Sequence, residues 1–284
     1  MDTNSRFKYL KQSIGYYFLV VVCQIVGEVI VLFSFGWKDI SNTNMPVDEM
    51  MEAMLKILNA HIYGVLLATY LAMGLILLGK RLKASAPLTL VDGISQHIDA
   101  GQALWGALMG AGGSLWSLIL VEILPKNQSA FETITSAESS VVSAEPFWLE
   151  LLAVIVIAPV FEEIIFRGLI FSRLRLIMAQ PGAVICQALM FASLHTGESD
   201  IIRALVLGAV LGFAVIKAKS LRAAIVIHVA FNAVALLANP FYDMMFKTEF
   251  TIKLMLIIGG CVFALGAVAY FKTPGRGSNV AESK

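Results

Sequence analysis

Residues 151–171 read LLAVIVIAPVFEEIIFRGLIF: two adjacent carboxylates and an arginine inside a run that is otherwise hydrocarbon. An ionisable side chain at mid-bilayer costs about 2.5–3.5 kcal/mol on insertion scales, so by default it marks a functional site. Glu163 and Arg167 are four residues apart on one helix face, with the glutamate N-terminal, which is the favourable order for a pair. Glu162 points about 100° away and has no partner on its own helix, which suits a general base or acid. Pro159 is expected to kink the helix just before the pair and to free carbonyl groups there. The competing reading is that all three charges form a purely structural interhelical network.

The rest of the chain has the same character. Its 284 residues are 58% hydrophobic and only 14% charged, against about 25% charged in a soluble domain. The formal net charge is +1, with no basic stripe and no nucleic-acid motif, so no nucleic-acid partner is expected. A span needs about 20 apolar residues, and eight candidates follow: 14–36, 57–79, 101–121, 148–172, 183–196, 201–217, 221–239 and 254–271. The run after Arg6, Lys8 and Lys11 is too long for a signal-peptide core and reads as a retained first span. With both termini cytoplasmic, fourteen Lys and Arg fall on the inner side and six on the outer, in the sense of the positive-inside rule. The expected fold is therefore all-α and polytopic, with about eight transmembrane helices, embedded in the cell (plasma) membrane. The expected organisation is an N-terminal membrane region over 1–147, a core over 148–272 and a disordered tail over 273–284.

Local signals refine this plan. Gly106 and Gly110 have the spacing of a close helix-packing face. Pro181 suits the start of the fifth span and Gly197 its end. Ser199 or Asp200 is expected to cap the sixth span, and Ser220 the seventh. A polar outer loop is expected over 122–147. Cys23, Cys186 and Cys261 lie in apolar runs without ligand spacing and read as buried small hydrophobes.

Few other polar groups interrupt the spans. FASLH (191–195) sets a phenylalanine and a histidine four apart, and HVAFN (228–232) sets His228 and Asn232 on one face. The second pair suits either a polarised oxygen or the gluing of helices. At 1.5 Å per residue, Glu162, His195, His228 and Asn232 lie about 16, 21, 12 and 18 Å above the cytoplasmic ends of their spans. That shared band argues for one polar cavity. Gln24 and Glu28 also lie mid-span, without a catalytic assignment. His61 and His97 fall near span ends or in loops.

EEIIFRG, FASLH and HVAFN resemble the EExxxR, FxxxH and HxxxN motifs of the type II CAAX prenyl endopeptidases. The resemblance extends to their bacterial relatives, the CPBP or ABI intramembrane proteases linked to bacteriocin processing and self-immunity. All three motifs stand in the family's order on separate apolar segments, across roughly Trp148 to Asn239. The resemblance implies an endopeptidase that cuts a membrane-associated protein or peptide near the cytoplasmic face. It implies that Glu162 and His195 activate water, that His228 and Asn232 stabilise the oxyanion, and that Glu163 and Arg167 support the site. No cofactor is expected. A zinc-dependent version would use Glu162, His195 and His228 as ligands. A non-catalytic membrane regulator or self-immunity protein using the same pocket is the alternative of another class.

Overall fold

The computed structural model describes residues 2–41, 45–83, 97–123, 144–245 and 247–273. Most of the expected outer loop (124–143) and the tail beyond Thr273 lie outside these residues. Among the described residues the elements are helices, with no strand. α1 is Thr3–Val31, α2 Val47–Ala60, α3 Ile62–Lys83 and α4 Ala100–Ile123. α5 covers 147–177, with π-helical turns at Leu151–Ile157 and Ile164–Phe171. α6 is Gln180–Ala192, α7 Glu198–Ala218, α8 Leu221–Ala238 and α9 Glu249–Lys272.

Five described helices are long and apolar enough to cross a bilayer: Thr3–Gly36, Ile62–Lys80, Glu198–Ala218, Leu221–Ala238 and Glu249–Lys272. They coincide with the first, second, sixth, seventh and eighth expected spans. The chain is thus an integral membrane protein whose described elements are all helical. The fifth expected span is the shorter apolar helix Gln180–Ala192. The second begins later than expected because the chain breaks at His61. What precedes the break is α2, an amphipathic helix that leaves Val47, Met51 and Leu55 exposed along one stripe.

The helix boundaries have local causes. Pro181 lies in the first turn of α6, as expected. Gly197 does not close α6. It is the N-cap of α7 at φ +85°, a conformation an L side chain resists, and Ser199 and Asp200 fall inside the first turn instead of capping it. α9 is closed by a capping box in which Thr248 and Thr251 exchange backbone-to-hydroxyl hydrogen bonds of 3.1 Å.

The chain divides into two compact units. One comprises Met1–Tyr16, Thr89–Leu124 and Pro159–Lys284. In it, α4 packs against α8 through the predicted glycine face. A Cβ on Gly106 would sit 3.2 Å from the Ile227 side chain, and one on Gly110 would collide with the Ile227 carbonyl. Tyr270 of α9 donates to the Ala214 carbonyl of α7 at 3.0 Å. The start of α1 is pinned to the end of α5, where Arg173 donates to Gln12 Oε1 at 3.0 Å and stacks on Tyr16. The other unit comprises Tyr17–Leu88 and Pro125–Ala158. There Cys23 is buried, as expected, and Gln24 donates to Glu28 Oε1 at 3.4 Å. Of the other cysteines, Cys186 is half-buried and Cys261 is exposed on the outer face of α9, against expectation.

Candidate active site

Glu163 and Arg167 are both fully buried, and the expected pair forms: Arg167 Nη1 donates to Glu163 Oε1 at 2.8 Å. The same carboxylate oxygen holds His228 Nδ1 at 2.9 Å, from a residue 65 positions later on α8. A carboxylate is an acceptor, so the proton of that bond belongs to Nδ1. His228 Nε2 then faces Glu162 Oε2 at 3.6 Å. Glu162 is therefore not without a partner, as its own helix suggested. α8 brings an imidazole between the two carboxylates.

A sharing of this kind is costly unless each charge is met. Arg167 spends a second nitrogen, Nη2, on the Gly208 carbonyl of α7 at 3.1 Å. Gln187 of α6 donates to that same carbonyl at 2.8 Å and to Val184 O at 3.0 Å. Three elements thus meet at one backbone oxygen. Gly208 permits it by close packing: a Cβ there would lie 3.1 Å from both Cα and Cβ of Ala188. Arg167 also covers the Phe191 ring, with its guanidinium carbon 4.8 Å from the centroid.

His195 sits differently from the sequence expectation. α6 ends at Ala192, and the chain leaves it through tight turns in which Leu194 N donates to Phe191 O and His195 N to Ala192 O. Phe191 and His195 still meet, because the imidazole swings back over the helix end. Its Nδ1 lies 3.0 Å from the Phe191 carbonyl oxygen, and its ring centroid 4.8 Å from the Phe191 ring. A carbonyl accepts only, so Nδ1 carries the proton and the lone pair is on Nε2. The Phe191 ring also stands edge-on to His228, at 5.9 Å, and to Phe166, at 5.1 Å. Both motif histidines therefore border one aromatic ring. His195 and Glu162 are half-buried, whereas His228 and Glu163 are buried. Asn232 lies one turn beyond His228 and is half-buried.

Glu162, Glu163, Arg167 and His228 are brought together directly, and His195 through Phe191. Glu28 belongs to the other unit. His97 contacts Arg222, away from these groups. Among the described residues, no three His, Cys, Asp or Glu side chains are grouped so as to hold a metal ion. Sequence reading missed Gln187 and the Gly208 carbonyl. A fully buried glutamine inside an apolar helix was the available signal for the first. A backbone carbonyl leaves no signal.

Residues 144–234, which include all three motifs, match the family model described as type II CAAX prenyl endopeptidase Rce1-like, a protease family. The family resemblance read from the motifs is borne out over that stretch. No curated protein and no solved structure matches the chain.

Proposed function

We propose that the chain is an intramembrane endopeptidase of the cell membrane, hydrolysing a peptide bond in a membrane-associated protein or peptide near the cytoplasmic face. Eight spans with both termini cytoplasmic would set that orientation. The observation that carries the reading is the placement of two motif histidines with opposite surroundings. His195 has its Nδ1 proton fixed by a carbonyl and its Nε2 lone pair available, at a half-buried position. His228 is buried between two carboxylates.

In this mechanism His195 Nε2 and Glu162 take a proton from water as its oxygen attacks the scissile carbonyl carbon. The negative charge that develops on the carbonyl oxygen is met by His228 and Asn232. His228 can donate from Nε2 only when doubly protonated, since Nδ1 already donates to Glu163. With an imidazolium there, Glu162, Glu163, Arg167 and His228 sum to zero charge, which a low-dielectric site favours. Collapse of the tetrahedral intermediate breaks the C–N bond, and the stored proton passes to the leaving amine. Glu163 and Arg167 act by holding His228. The proposed mechanism is metal-free, with water activated by His195 and Glu162.

The test is cleavage of candidate membrane-anchored peptides by the full chain in liposomes. Glu162→Ala and His195→Ala should each slow cleavage by about 10²–10⁴-fold. A chelator should leave the rate unchanged. Loss on chelation, with recovery on one added metal, would point to the zinc-dependent reading with Glu162, His195 and His228 as ligands. A Glu162→Ala protein that inserts normally and keeps its full biological effect would point to the non-catalytic regulator.

A further inference from the structure

A cavity lies in the unit that holds the paired charges, between α4, α7 and α8 and closed by Phe263 of α9. Its volume is about 300 Å³, at the lower end of ligand-sized cavities. Its walls include Gly113, Val206, Leu207 and Phe231, and its polar lining residues are Ser117 and Arg203. Those two hold each other: Arg203 Nε donates to Ser117 Oγ at 3.4 Å, and Ser117 Oγ donates to Ser114 O at 2.9 Å. A buried water wants two to four polar partners, which the remaining walls do not supply. Ile202 and Val206, one turn apart on α7, are lining residues that are also 40% and 50% exposed. The cavity therefore opens sideways, on the face of a helix apolar enough to span a bilayer. What surrounds such a face is lipid hydrocarbon, and an apolar space left empty forfeits dispersion contacts.

The cavity lining is almost wholly apolar, and a charged pair stands just beyond one end of it. Arg203 and Asp200 lie in the first two turns of α7, where the helix approaches the headgroups, and Arg203 Nη1 donates to Asp200 Oδ1 at 3.1 Å. Glu198 stands exposed at the same helix end. A purely anionic headgroup would gain Arg203 but meet two carboxylates. A headgroup carrying both signs satisfies both kinds of charge. Arginine is the residue best shaped for phosphate, and a carboxylate for an ammonium.

We propose that this cavity seats one acyl chain of a zwitterionic phospholipid, its phosphate on Arg203 and its ammonium on Asp200. The chain lies along Ile227 and Phe231, the residues just before His228 and Asn232 on α8. It thus packs against the motif helix on a face about 100° round from the paired charges. The proposal is independent of the peptidase reading.

Native mass spectrometry of the delipidated full chain, with added dioleoylphosphatidylethanolamine or dioleoylphosphatidylglycerol, tests it. One ethanolamine lipid should be retained, at about tenfold lower concentration than the glycerol lipid. Val206→Trp, which plugs the mouth, should weaken that retention about tenfold or more. Asp200→Asn, which removes the acceptor for the ammonium, should bring the two lipids to within about twofold of each other. Glu162→Ala should bind as the parent does. Equal retention by Val206→Trp, shown to be folded by its thermal transition, would mean an adventitious belt lipid and overturn the proposal. Equal affinity of the parent for both lipids would overturn it too. If Val206→Trp does not fold, Asp200→Asn decides: an undiminished preference for the ethanolamine lipid contradicts the assignment.

Discussion

Each unit of the chain buries a carboxylate within helical surroundings, and the two are satisfied in opposite ways. In one, Glu145 accepts from the backbone N–H groups of Tyr63 and Gly64 at 2.9 Å, at the start of α3. Those are donors that a helix N-terminus cannot satisfy internally, so Glu145 caps a helix from 81 residues away. His61, which breaks the chain before α3, is 3.9 Å from the same carboxylate and stacks on Phe35. Tyr63 completes the cluster by donating to Glu150 at 2.5 Å. In the other unit, Glu163 accepts from a guanidinium and an imidazole, and the imidazole goes on to face a second carboxylate. A carboxylate answered by backbone amides stabilises structure, because amides do not titrate. A carboxylate answered by a histidine sets where a mobile proton resides, which is the raw material of acid–base chemistry. Burial alone does not separate the two cases. The identity of the donors does.

The contrast breaks most visibly on exchanging charge for neutrality. Glu163→Gln strands a buried arginine and a buried histidine, so it should cost about 3–5 kcal/mol in thermal or denaturant unfolding and also reduce cleavage. Glu145→Ala removes a cap worth about 0.5–2 kcal/mol, and cleavage per folded molecule should stay unchanged. Equal losses of stability from the two, or loss of cleavage from the second, would erase the distinction.

Smaller changes sharpen it around Gly208. Gly208→Ala forces a Cβ against Ala188, an overpacking that should cost about 1–3 kcal/mol, read in the same unfolding assay. Gln187→Leu deletes one of two donors to the Gly208 carbonyl and should cost about 1 kcal/mol. Because Arg167 keeps its own bond there, cleavage should fall less than with Glu163→Gln. A Gln187→Leu protein as inactive as Glu163→Gln would place Gln187 inside the site instead of behind it.

Much of this was legible in the sequence where the physics is local. The Glu163–Arg167 pair follows from a spacing of four, and the α4 face from glycines at 106 and 110. The membrane character follows from apolar run length. Contacts between distant segments were not legible. Glu162 looked unpartnered because His228 arrives from another helix. The end of α6 at Ala192 was invisible because the next helix-breaking glycine is Gly197, which serves the following helix. Glu145 read as one more loop acid, since its partners are backbone amides that no side-chain pattern announces. The same limit hid the Gly208 carbonyl.

The account rests on where two protons sit. The chain has four histidines, few enough for ¹⁵N-histidine magic-angle-spinning NMR of the full chain in bilayers, assigned by single histidine substitutions. It predicts a proton on Nδ1 of both His195 and His228, the first held by a carbonyl and the second by Glu163. A neutral ring protonated only on Nε2, at either residue, would contradict it.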